Sequence, residues 1–232
     1  MAIKLDKVVP FGRSLDEYRR MFDLSDGDLC KPMIGVGDGP ASFNAETFAM
    51  GNTVISVDPL YAFRADEIQQ QFYAVVDDII AQVEATPHDW TWSYHKSPKQ
   101  LKENRTSVLS RFVADYEQGK AEGRYVVGEL PRLDFVDEQF QLAVCSHFLF
   151  LYSDKLTYEF HREAVFEMLR VAAEVRIFPL LMLSRKPSEY VQPLIEELRS
   201  KGVVASIENV DYELQKGGNK MLRIRKASAT IS

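Results

Sequence analysis

Cysteine is scarce in this sequence. Cys30 and Cys145 are the only two among 232 residues, and they fall in separate expected elements. That excludes a disulfide framework and a cysteine-rich zinc cluster, and no metal site is expected. No run of about 18 apolar residues occurs, so no membrane-spanning helix is expected. The first twenty residues, MAIKLDKVVPFGRSLDEYRR, hold no continuous apolar core of a secretory signal, and the expected location is cytoplasmic. An excess of positive charge is missing too. The formal net charge is −6, which argues against a nucleic-acid partner. Internal repeats and low-complexity tracts are absent.

What is there suits one α/β domain over 1–232. The hydrophobic share is 46% and the charged share 27%, both ordinary for a globular chain with a substantial core. Residues 14–24 read as a short amphipathic helix, with Ser14 as cap and Glu17 completing a capping box. This helix belongs to an N-terminal helical extension over 1–30. Strands are expected at 31–36, 53–58, 125–130, from 140 onward, 175–181, 203–208 and 220–225. Helices are expected at 41–50, roughly 64–85, 99–119, 157–172 and from 187 to about 202. Strands alternating with helices imply a three-layer α/β fold, a mostly parallel seven-stranded sheet with helices on both faces and a C-terminal antiparallel pair. The tail ASATIS reads as frayed. In such sheets ligands bind beyond the C-terminal ends of the strands.

The strongest local signal is Gly35-Val36-Gly37-Asp38-Gly39-Pro40, between an apolar strand and a helix. Glycines let the chain reverse tightly and let a ligand approach bare backbone. The helix behind the turn offers free N–H groups to a negative group. Asp58 closes the second strand, 23 positions after Gly35, where a carboxylate can accept hydrogen bonds from ribose hydroxyls. Together these features point to a nucleoside cofactor.

The dinucleotide fingerprint is G-x-G-x-x-G. Here the third position is Pro40 and Gly39 comes one residue early, which argues against a nicotinamide-dependent oxidoreductase. The G-x-G-x-G pattern resembles motif I of the class I methyltransferases that use S-adenosylmethionine (SAM), and the resemblance spans about 30–225. The stretch VGELPRLDF is similar to the family's G-D-x-x-x-L-P-F pattern. FQLAVCSHFLF is similar to its F-D-x-V-x-x-x-x-x-L, with Gln141 where the family carries Asp. The antiparallel C-terminal pair is a further trait of that family. The resemblance implies a Rossmann-like methyltransferase fold with SAM as cofactor. It implies that Gly35, Val36, Gly37, Asp38 and Gly39 wrap the methionine part. Asp58 and Pro59 would meet the ribose, and Glu129 and Leu130 the adenine. Ser146 and His147 follow the fourth strand, which would face their side chains to the cofactor or the acceptor.

Methyl transfer asks little of side-chain chemistry, because the sulfonium already activates the methyl group. His147 is the one candidate general base, against an ordinary packing role. Cys145 reads as a small buried residue rather than a nucleophile. About 66 residues separate Asp58 from Tyr125, more than one βα unit needs. The excess predicts a helical cap insertion over 86–123. Within it Trp90, Trp92 and Tyr94 would share one face of an extended chain and line an acceptor pocket, or else anchor the cap. Lys96, Lys99, Lys102, Arg105 and Arg111 read as a solvated basic helix face. Tyr18 and Phe22 would contact the cofactor if the N-terminal helix acts as a lid. Arg170, Arg176 and Arg185 carry no motif.

The favoured function is transfer of a methyl group from SAM to a small-molecule acceptor. An RNA or protein methyltransferase would instead present a basic concave surface beside the cofactor. A non-catalytic nucleoside-binding protein of the same fold would have its acceptor side blocked.

Overall fold

In the computed structural model, residues 10–226 are described. The expectations for the first nine residues and for the ASATIS tail lie outside them. Seven strands among the described residues form one sheet, ordered β3-β2-β1-β4-β5-β7-β6. They are β1 Met33–Val36, β2 Val54–Val57, β3 Tyr125–Val126, β4 Phe140–Ser146, β5 Ala172–Phe178, β6 Val203–Asn209 and β7 Lys220–Lys226. The first five are parallel, and β7 runs antiparallel to both β5 and β6. This is the Rossmann-like methyltransferase fold, and it matches the expected class. The strand order reverses between β1 and β4, so the crevice for a ligand opens above those two strands.

The helices are α1 Leu15–Phe22, α2 Asp26–Leu29, α3 Phe43–Ala49, α4 Ala65–Tyr73, α5 Val76–Glu84, α6 Pro98–Ala121, α7 Tyr158–Val171 and α8 Val191–Ser200. The α1 capping box forms as expected: Ser14 Oγ accepts from the Glu17 amide and the Glu17 carboxylate accepts from the Ser14 amide. One core joins α7 and α8 to the sheet through Val165, Met168, Leu194 and Leu198. A second packs α1 and α3 on the opposite face through Tyr18, Phe22 and Phe43. A third belongs to the long β2–β3 connection, where Ile68, Phe72, Ile80 and Val83 meet Leu109, Phe112 and Tyr116 of α6.

Several boundaries differ from the sequence expectation. The helix expected over 64–85 is two, α4 and α5, broken at Ala74 and Val75 with no glycine or proline to mark it. The third strand stops at Val126, and beyond it Gly128 passes so close to β2 that a Cβ there would lie 2.9 Å from Val57 Cγ1. The fifth strand begins at Ala172, directly off α7, and ends before Pro179, which has no N–H to continue the ladder. Arg105 is not on a solvated face. It is 1% exposed in the heart of the fold, because its guanidinium forms a two-armed pair with the fully buried Glu17 at 2.8 Å on each arm. Arg176 is buried as well, donating to the Phe22 and Asp23 carbonyls at the C-terminus of α1.

Candidate functional site

The C-terminal ends of β1, β2 and β4 surround a cavity of about 430 Å³. Val36, Gly37, Asp38, Gly39, Asp58, Pro59, Glu129, Leu130, Ser146 and His147 all line it. Gly35 does not. It lies inside β1, paired with Ser56 and Val144, and the Asp38 carboxylate folds against it so closely that a Cβ there would overlap Asp38 Oδ2.

The turn itself needs its glycines. Gly37 has φ +73° and Gly39 φ +56°, the left-handed region that L side chains avoid. A Cβ on Gly37 would press on Phe148 at 3.2 Å, whereas nothing stands within 4 Å of one on Gly39. Asp38 sends its side chain down, away from the cavity. It accepts from Tyr18 Oη and Ser56 Oγ, both at 2.7 Å, and burial pushes its carboxyl up to about 7 against those two hydrogen bonds. Asp58 caps a short 3₁₀ turn over Pro59–Ala62. Its Oδ1 accepts from the Leu60 amide and its Oδ2 from the Gly39 amide, each at 2.8 Å. Each carboxylate oxygen keeps a further lone pair for a ligand hydroxyl. Burial raises its carboxyl, and these two amides oppose the shift.

His147 stands at the end of β4 with φ +51°, an uncommon backbone state for a side-chain-bearing residue. Its amide donates to the Phe178 carbonyl at 2.7 Å, and its Nδ1 meets Ser146 Oγ at 2.9 Å. Nε2 has no hydrogen-bond partner among the described residues. Burial holds the imidazole well below its usual pKa, and the cations Arg13 and Arg105 push the same way, so it stays neutral at pH 7.

A second, smaller cavity of about 110 Å³ shares Phe11, Arg13 and His147 with the first. Trp90, Leu101, Ile79 and Val83 of the β2–β3 connection form one wall, and Phe178, Tyr212 and Leu183 the other. Trp90 lines this cavity, with its Nε1 donating to Thr86 Oγ1 at 3.1 Å. Trp92 packs instead against the α4–α6 core, and Tyr94 lies tilted against Tyr212 while its hydroxyl donates to Asp16. Neither lines either cavity. Tyr18 and Phe22 are also away from both, because they fill the core beneath the glycine turn, Tyr18 stacked on Phe43 at 4.1 Å. The N-terminal contacts to the cavities come from Phe11 and Arg13 instead. No periodic pattern marks that pair. Their placement follows from Gly12, whose bare backbone packs directly on Pro40.

Among the described residues no group of three or more His, Cys, Asp or Glu side chains could hold a metal ion, and no helix is long and apolar enough to cross a membrane.

No family model matches the chain. Solved structures that resemble it include magnesium protoporphyrin IX methyltransferase from Synechocystis PCC 6803 with bound SAM. That one has 11% identity and TM-score 0.47, covering 87% of this chain and 73% of the other. A SAM dependent methyltransferase from Aquifex aeolicus has 14% identity and TM-score 0.40, covering 90% of each chain. A curated relative, the uncharacterized protein MJ0045 of Methanocaldococcus jannaschii, is 32% identical over 225 residues, 97% of this chain and 99% of its own. Identity at that level along nearly all of both chains means that this protein belongs to one family with MJ0045.

Proposed function

We propose that the chain is a SAM-dependent methyltransferase acting on a small-molecule acceptor. One observation carries this reading: the glycine turn, Asp58 and His147 converge on a single cavity, and His147 also lines a second, apolar one. The first cavity falls within the usual range for cofactor sites. Its glycine backbone suits the amino-acid end of SAM, the Asp58 carboxylate suits two vicinal ribose hydroxyls, and the apolar Leu130 and Phe160 suit a flat base. When bound, SAM supplies a methyl group already activated by its sulfonium.

The chain's own residues then bind, orient and exclude water. Phe11, Phe148 and Phe178 wall the region around His147. In the tautomer whose Nδ1–H donates to Ser146 Oγ, His147 Nε2 carries a free lone pair and can accept a proton from an acceptor O–H or N–H. The segment over 86–123, together with α5, serves as the cap that closes the acceptor side. The narrow apolar second cavity favours a small acceptor over RNA or a protein chain. The unpaired thiols of Cys30 and Cys145 fit a reducing, cytoplasmic setting.

Calorimetric titration of SAM, S-adenosylhomocysteine and NAD into the protein and its Asp58→Ala variant tests the cofactor. SAM or its product should bind, NAD should not, and the variant should lose at least about tenfold in affinity, since its carboxylate hydrogen bonds are each worth about 1.5–3 kcal/mol. Absence of binding by both SAM and its product, or preference for NAD, refutes the reading.

A further inference from the structure

Among the described residues Arg13 is a cation without a paired anion. It lines both cavities, yet no carboxylate among the described residues lies within ion-pair distance of it. Its Nη1 donates to the Phe11 carbonyl, and its Nε is buried with no hydrogen-bond partner among the described residues. The acid nearest in effect, Glu17, is already committed. Its oxygens accept from both arms of Arg105, from Tyr212 Oη and from the Ser14 amide. Burial and the neighbouring Arg105 bring the Arg13 guanidinium down to about 10, so it still carries its charge at pH 7. The residue is half-buried, and a charge partly withdrawn from water without a partner is costly, a cost that an anionic ligand would relieve.

The fold holds this residue firmly. The Arg13 carbonyl accepts from the Ser42 amide at 3.1 Å, and Gly12 is locked against Pro40. The backbone is thus anchored beside both cavities, and the planar guanidinium that it carries is a two-pronged donor suited to a carboxylate. Around it the second cavity offers Trp90, Phe178 and Tyr212, aromatic surfaces that suit a flat apolar body.

We propose that Arg13 recognises a carboxylate on the methyl acceptor, so that the acceptor is a small aromatic or apolar acid seated in the second cavity with its reacting atom toward His147. This rests on the methyltransferase reading. A carboxylate could also come from the amino-acid end of the cofactor, and the experiment separates the two sources.

Benzoate and indole-3-carboxylate, each beside its primary amide, are titrated into the full chain by protein-observed NMR, with and without S-adenosylhomocysteine. The acids should bind at least tenfold more tightly than the amides. Arg13→Met should erase that preference and Arg13→Lys should keep part of it, with thermal unfolding confirming that both variants are folded. S-Adenosylhomocysteine and 5′-methylthioadenosine, which lacks the amino-acid end, are titrated into the same variants, and their relative affinities should not change. Failure of the acids to bind, or equal binding of acids and amides, overturns the proposal. So does an Arg13→Met variant that loses S-adenosylhomocysteine while sparing 5′-methylthioadenosine, since Arg13 would then hold the cofactor's carboxylate. Because the acid preference is read without cofactor, its failure is distinct from a failure of wild-type protein to bind S-adenosylhomocysteine, which refutes the cofactor reading instead.

Discussion

Replacing Arg105 with methionine tests whether the pair Glu17–Arg105 holds the N-terminal helix to the β2–β3 connection. Glu17 is 0% exposed and Arg105 1% exposed, 88 positions apart in sequence. Burial alone would raise the Glu17 carboxyl, but Arg105, helped by His95, holds it well below the usual carboxylate range. Removing Arg105 leaves a buried carboxylate with only Tyr212, His95 and Ser14 as donors. Breaking such a pair on one side costs about 3–5 kcal/mol, a large part of an ordinary domain's total of about 5–15 kcal/mol. Urea denaturation at pH 7 should show that loss in Arg105→Met. The double variant Glu17→Gln/Arg105→Met, with no charge left to bury, should recover at least about 1 kcal/mol of it. The pH dependence follows the same logic. Glu17 is depressed in the fold, so the stability it contributes is present above the ordinary value of 4.5 and is lost as pH falls below it. In Arg105→Met that acid-side loss should shrink. A cost under about 1 kcal/mol, or a double variant no better than the single, would refute the reasoning.

Three further outcomes are expected. Asp38 is raised from 3.8 to about 7, so its contribution to stability is fully present below 3.8 and is lost as pH rises through 7. Asp38→Asn should flatten a decline worth at most about 4 kcal/mol across that window, and identical pH profiles for the two proteins in urea melts would contradict the assignment. Gly37→Ala places a Cβ at φ +73° against Phe148, so it should cost about 1–2 kcal/mol and weaken S-adenosylhomocysteine binding in calorimetry. Unchanged affinity and stability would show that the turn relaxes freely. Asn44 ties α3 to the sheet edge, with Nδ2 near the Val54 and Arg124 carbonyls and Oδ1 accepting from Arg124 at 2.7 Å. Asn44→Ala should lose about 2–4 kcal/mol in urea denaturation through unsatisfied buried groups, and a loss below about 0.5 kcal/mol would count against that network.

Local chemistry was readable directly. Alternating strands and helices fixed a mostly parallel sheet, Ser14 and Glu17 marked a helix start, and the glycine-rich turn with Asp58 fell where ligands bind in such sheets. Each of these depends on residues close in sequence or on a strand's own polarity, so pattern suffices. The break between α4 and α5 had no local signal, and neither did the early end of β3 at Val126.

The sequence by itself determined the sheet class, the antiparallel closing pair and a turn whose positive φ values only glycine adopts cheaply. Only the tertiary structure decided which charges are buried and what surrounds the second cavity. Arg105 reads as one more exposed cation until Glu17 is brought against it from 88 residues away. Trp92 and Tyr94 look equivalent to Trp90 until packing turns them elsewhere. The physical reason is that burial and electrostatic pairing are properties of long-range neighbours, and neither composition nor periodicity encodes which distant residue will become one.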